Sequence, residues 1–316
     1  MVERANRPAN VNISPVNRSA QPIVDVSDDK HTVSARLPTG ETVEVLLFGA
    51  TVTSWKNVDG SENLWLSEKA ILDGSKPVRG GIPLVFPLFG PPAPGHATSN
   101  LPQHGFARNA RWEYLGKSSS ESAGAADSGI KLDFGLYSSA LPDATKKAWP
   151  YDFGLVYSVT LSPDGLRTML NVRNEGTQSF EFKVLFHTYF RVDDIGKAKI
   201  TGLNGVSYVD KVLDAREATQ SGDVGIEGEV DRVYAKIPQS TSSIVVGGTP
   251  RFDVVRDNLE DVVVWNPGKV KAAGMGDYAP AEGYINQLCV ETGSVNEWQS
   301  LEAGESWEGG QVLKSL

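Results

Sequence analysis

A histidine inside one strand-like apolar run and a glutamate near the end of another are residue types that can trade a proton near neutral pH. The histidine is His187, in "VLFHTYFRV" from Val184 to Val192. A period of two puts Val184, Phe186, Thr188, Phe190 and Val192 on one face and Leu185, His187, Tyr189 and Arg191 on the other. The first face is the obvious core. His187 therefore belongs to the more polar face, which is either solvent or the lining of a cleft. On this pattern alone, a core histidine bonded to a neighbour such as Tyr189 is as good a reading as a proton carrier. The glutamate is Glu291, in "YINQLCVETGSV", where alternation groups Ile285, Gln287, Cys289 and Glu291 and puts the carboxylate at the strand's end. Buried there, it would need a partner or a shifted pKa. An exposed strand-end carboxylate is the commoner outcome for such a stretch by itself.

Two further stretches carry groups that bind rather than react. "GSKPVRGGIPLVFPLFGPPAPG", Gly74 to Gly95, is apolar and holds prolines at 83, 87, 91, 92 and 94. Those prolines rule out regular helix and central strand. The expectation is a rigid irregular wall, packed over the fold or lining a pocket, with Arg79 as its charged tooth and Lys76 as a lesser candidate. "LPQHGFARNARWEY" concentrates Gln103, His104, Arg108 and Asn109 around Gly105. Such groups suit sugar hydroxyls or a phosphate, and an arginine fork matches phosphate oxygens.

Other chemistries find no footing. The four histidines, His31, His96, His104 and His187, lack ligand spacing, and a single cysteine cannot build a zinc site, so no metal is expected. No Gly-x-Ser-x-Gly elbow and no phosphate loop of the nucleotide-binding kind occur.

The elements that must position these residues are short β-type runs separated by Gly, Pro, Asn and Asp. "SPDG" at 162–165 and "NEG" at 174–176 read as hairpin turns. Helix signals are scarce; the best is "SEKAILDG", where Ser67 could cap a short helical turn stopped by Gly74. The fold class expected is all-β, a large antiparallel β-sandwich. Residues 117–129 and the acidic, Gly-rich 214–231 read as surface loops. Residues 1–22 read as a disordered leader and 23–316 as a single domain. The 316 residues carry 39 acidic and 30 basic side chains, a formal charge of −9, which disfavours nucleic acid and anionic membrane as partners. No apolar run approaches a membrane span and the first residues lack a signal-peptide core, so a cytoplasmic protein is expected, acting as a monomer.

Read together, "KPVRGGIPLVFPLFG", "LPQHGFARN", "LFHTYFRV", "VVWNP" and the glutamate of "CVETGSV" occur in an order that resembles the hexose-6-phosphate mutarotases (glucose-6-phosphate 1-epimerases) of the galactose-mutarotase-like superfamily. The resemblance runs from about residue 24 to 312 and is closest to the fungal type. It implies a supersandwich with a cleft on its concave face, His187 as general acid and Glu291 as general base. It also implies sugar and phosphate contacts from Arg79, Gln103 and Arg108, sugar-hydroxyl binding by Asp231, and an additional contact from His104. The substrate implied is a hexose 6-phosphate whose anomers are interconverted without any cofactor. Two departures stand out: Thr292 replaces the proline that often follows the glutamate, and the loop before Asp231 is Gly-rich and acidic. The rival reading is a non-catalytic carbohydrate-binding sandwich, for which Trp55, Trp149 and Trp265 would supply stacking surfaces. A glycosidase would need a second carboxylate at the reacting bond.

Overall fold

Strand alternation over much of the chain produces two large antiparallel sheets whose apolar faces meet. The computed structural model describes residues 21–119 and 129–316. The expected leader lies outside these residues, except for its last two positions, as does most of the expected loop at 117–129. One sheet has nine strands, running in space from Val224–Gly225 through Ala198–Thr201, Thr241–Val246, Thr249–Asp257, Ser306–Ser315, Gly165–Asn174, Phe153–Ser162 and Ile130–Tyr137 to Glu113–Ser119. The other has eight. Its path runs from Arg216–Thr219 through Ser207–Asp210, Val230–Tyr234, Asp261–Asn266, Gln287–Leu301 and Phe180–Phe186 to Leu84–Val85, with Tyr189–Arg191 added against Gln287–Leu301. A smaller sheet of four strands is built from residues 23–56. The large antiparallel β-sandwich expected from the sequence is what forms.

The core between the large sheets is aromatic. Tyr157 meets Phe186, Phe190 meets Phe252, and Phe182 meets Trp307, each pair joining one sheet to the other. Val184, Phe186, Phe190 and Val192 all belong to this core, as their alternation requires. Leu185 and Tyr189 belong instead to a second apolar cluster on the opposite face, with Trp65, Val263, Trp265 and Cys289. Thr188 is the one polar residue on the core-facing set. Its hydroxyl accepts a hydrogen bond from the Gln311 amide at 3.0 Å, and Gln311 in turn accepts one from Thr292 at 2.8 Å. A satisfied polar chain of this kind costs little and fixes the strands it joins.

Several local expectations are corrected. Glu291 is not at a strand's end: Gln287–Leu301 continues ten residues past it, and Glu291 is only 2% exposed. Ile285 lies in a 3₁₀ turn, Ala281–Ile285, rather than in that strand. No helix follows Ser67; its hydroxyl donates to the Asp277 carbonyl and accepts from the Ala279 amide, tying this loop to a distant segment. The α-helices are Asp143–Ala148 and Gly268–Gly274 among the described residues. The acidic stretch 214–231 is partly strand, at Arg216–Thr219, Val224–Gly225 and the start of Val230–Tyr234. The proline-rich wall joins a sheet through Leu84–Val85 at its edge, with single bridges at Gly80, Ile82 and Phe86. No helix among the described residues is long and apolar enough to cross a membrane.

Candidate active site

The strand carrying "VLFHTYFRV" breaks at its histidine, and the break is what makes the site. Phe186 pairs with Thr292 and Tyr189 pairs with Cys289 on the long strand. Between these pairs His187 leaves the ladder, its amide donating instead to the Pro83 carbonyl at 3.0 Å. Pro83 has no amide to offer in return, so the pairing with Leu84–Val85 ends at this point. The His187 side chain thereby falls beside Glu291, with Nδ1 3.3 Å from Oε1. The imidazole stacks on Tyr189 at 4.7 Å and 9° and meets the edge of Trp265. On the other side of the long strand, Glu291 is in register with Val263, and Asp231 reaches the same face through Trp265.

These residues floor a cavity of about 370 Å³, within the usual range for a small-molecule site. All seven residues singled out from the sequence line it: Arg79, Gln103, His104, Arg108, His187, Asp231 and Glu291. Lys76 does not; it is exposed and elsewhere. Sequence reasoning missed Lys211, Lys271, Phe89 and Met275 on the lining and Asp277 behind Arg79. Lys211 lies just before the stretch read as an acidic loop and Lys271 just after "VVWNP", so only the folded register brings them here.

Backbone geometry fixes the pocket's rim. Gly105 adopts φ +70, and a Cβ there would lie 2.2 Å from the Phe86 carbonyl oxygen, so only glycine fits. Its neighbour His104 holds φ 66 without being glycine, a conformation that costs energy and is kept by its surroundings. The Gly90 amide donates to His104 Nδ1 at 3.2 Å, which leaves Nε2 as the protonated nitrogen. Burial, with Arg108, Lys211 and Arg79 nearby, pushes the His104 pKa down to about 3. His104 is therefore a neutral hydrogen-bonding group.

The charges are unequally employed. Arg79 donates to Asp277 and to the Tyr189 hydroxyl; burial opposes its charge, but these partners outweigh it and hold the guanidinium firmly protonated. Lys271 pairs with Glu229 at 2.8 Å and Lys211 sits 3.8 Å from Asp231 and over the Phe89 ring. Arg108 makes no ion pair among the described residues. It donates to the Gln103 carbonyl, and its buried Nε has no partner. Burial foremost, with Arg79 alongside, lowers its pKa to about 10, so it stays charged at neutral pH. A charged, half-satisfied fork lining a cavity has the chemistry to take an anion.

At the floor, burial and the positive neighbourhood of Arg108 and Arg79, with His104 beside it, depress the His187 pKa, while burial and Asp231 raise that of Glu291. The two groups thus compete for one proton across a 3.3 Å contact, and their titration belongs to the pair.

The same sandwich fold occurs in a galactose mutarotase-like protein from Clostridium acetobutylicum, whose crystal structure matches with a TM-score of 0.69 and 15% identity over 95% of this chain. The family model described as aldose 1-epimerase matches residues 31–314. The chain belongs to the aldose 1-epimerase family. A relative from Cenchrus ciliaris named "Putative glucose-6-phosphate 1-epimerase" is 37% identical over 277 residues, which is 86% of this chain and 81% of the relative. An Escherichia coli relative of the same name is 37% identical over 257 residues, covering 81% and 80%. The crystal structure of a "putative mutarotase" from Salmonella typhimurium matches with a TM-score of 0.76 and 31% identity over 90% of each chain.

Proposed function

We propose that the protein interconverts the α and β anomers of hexose 6-phosphates, with His187 and Glu291 as the acid–base pair. The observation that carries this reading is the 3.3 Å contact between those two groups at the floor of a cavity whose Arg108 is charged and unpaired. The names of the relatives in Cenchrus ciliaris and Escherichia coli support the choice of substrate.

Anomer exchange opens the sugar ring, rotates the aldehyde end and closes it again. One group takes the proton of the C1 hydroxyl while another protonates the ring oxygen, and the roles reverse on closure. Both oxygens are bonded to the same carbon, so the acid and base must serve atoms very close together. Two side chains in contact suit that requirement. Glu291 takes the hydroxyl proton and the imidazole supplies the ring-oxygen proton. The remaining lining groups, Gln103, His104 and Asp231, are positioned to hold sugar hydroxyls.

The phosphate has a second effect beyond anchoring. Arg108 and Arg79 are among the charges that depress the His187 pKa. A phosphate dianion seated on Arg108 offsets them and makes the imidazole easier to protonate. Binding energy far from C1 is thereby turned toward the reacting atoms. Such a substrate is charged and does not cross a bilayer unaided, which supports a cytoplasmic site of action in this reading.

The carbohydrate-binding alternative is less well served. Trp55 and Trp149 are buried in the core at 2% and 1% exposure, so of the three tryptophans only Trp265 reaches the cavity. The test is saturation-transfer NMR of anomer exchange with glucose 6-phosphate and with free glucose. Faster exchange of the phosphorylated sugar is expected. Binding of the sugar phosphate with no exchange above the spontaneous rate would leave a binding protein instead.

A further inference from the structure

Among the described residues, three donors able to hold a metal converge in one place: His187, Cys289 and Glu291, with donor atoms all within 4.8 Å of one another. Nδ1 of His187 lies 3.3 Å from Oε1 of Glu291 and 3.7 Å from Sγ of Cys289. Around a tetrahedral zinc ion with ordinary bond lengths, such N···O and N···S edges measure about 3.4 Å and about 3.6 Å. The two edges at the histidine already have those lengths. The third, between the Cys289 sulfur and the Glu291 carboxylate, is within 4.8 Å and has to shorten to about 3.6 Å on binding. Cys289 has no part in the proposed reaction: it is fully buried, and its sulfur accepts a hydrogen bond from Gln287 at 3.1 Å.

We propose that His187, Cys289 and Glu291 form a three-donor site for a thiophilic divalent cation of the zinc kind, and that occupancy arrests the acid–base pair. Imidazole, thiolate and carboxylate with a fourth position open to the cavity are a donor set that zinc-class ions favour. On binding, the thiol proton leaves to solvent, and thiolate plus carboxylate balance the dication. The lone pair of Nδ1 and the carboxylate oxygen are then both committed to the ion and cannot carry a proton. Arg79 and Arg108 oppose a bare cation, so the thiolate supplies the decisive attraction and affinity rises with pH. Sequence spacing gave no sign of the set, because Cys289 and Glu291 lie two apart on one strand while the third donor arrives from another, 102 residues from the cysteine. The arrest rests on the proposed function; the binding does not.

The test is a titration of the metal-free full chain with Co²⁺ as a spectroscopic stand-in for zinc. The expected result is a near-ultraviolet thiolate-to-cobalt band that saturates at one ion per chain, bleaches on adding Zn²⁺, and is lost in Cys289→Ser. That variant should exchange glucose 6-phosphate anomers as the wild type does. It should also need at least about ten-fold more Zn²⁺ for half-inhibition, since changes even behind a metal's ligands cost about 10–100-fold in affinity. No band in the wild type, or a band unchanged in Cys289→Ser, overturns the site. Equal zinc inhibition of both proteins overturns the arrest. If the chain exchanges no sugar phosphate at all, the functional reading fails while the wild-type cobalt band still decides the metal site, whether or not the variant folds.

Discussion

Nδ1 of His187 rests 3.3 Å from Oε1 of Glu291 because one strand breaks where its neighbour continues. The long strand runs on through Glu291, which keeps the carboxylate in a fixed, buried frame. The histidine is the freer partner, released from the ladder by a bond to Pro83 and held flat against Tyr189. A proton shared between two such groups is an acid and a base in one unit.

That arrangement has a cost in stability with a definite pH dependence. The folded-state pKa of Glu291 is raised above its unfolded value. Between those two values the folded state binds one more proton than the unfolded, so stability falls as pH rises from about 4 through the folded pKa. Glu291→Gln, which cannot ionise, should be more heat-stable than the wild type at neutral and alkaline pH, and the gain should vanish toward about pH 4. His187, whose pKa is depressed, works in the opposite direction, losing stability as pH falls below about 6.5. Thermal melts of both proteins across pH check this. A gain that grew on acidification would refute the buried-carboxylate account.

Arg108→Ala should raise the KM for hexose 6-phosphates roughly ten- to a hundred-fold, the worth of a lost hydrogen bond to a charged group. Free hexoses should be affected much less. Equal losses for both in the exchange assay would move phosphate recognition to Lys211 or Lys271.

Gly105→Ala should destabilise the protein by at least about 1–3 kcal/mol, because a left-handed backbone must now carry a Cβ. The Cβ also meets the Phe86 carbonyl, so the loop bearing Gln103, His104 and Arg108 has to shift. Chemical denaturation reads the first effect and the KM for sugar phosphate the second. A stable variant with normal KM would show that this turn does not set the rim.

The sandwich was legible because long alternating runs such as "FGLVYSVTLS" leave no other way to bury their apolar side. Strands with mixed polarity were not: "SWEGGQVLKS" contains two adjacent glycines, yet it pairs along the centre of the nine-stranded sheet. There Gly310 is required by the close approach of the Thr168 carbonyl, 2.2 Å from where a Cβ would stand. In the site, the seven named residues were found through local pattern and family resemblance. Asp277, Lys211 and Lys271 were not, because their positions depend on long-range register and on the Ser67 hydroxyl bonds that hold the Asp277 segment in place. Alternation also misjudged Glu291, since nothing local says that a strand continues through Thr292 and Gly293.

The central claim is that the His187–Glu291 pair carries out anomer exchange, and Glu291→Gln tests it most directly. The amide keeps the shape of the side chain and removes its proton chemistry. Saturation-transfer NMR on glucose 6-phosphate should show exchange reduced by about 10²–10⁴-fold in a folded variant that still binds the sugar phosphate, the range expected when a general base is lost. Near-wild-type exchange by that variant would contradict the account.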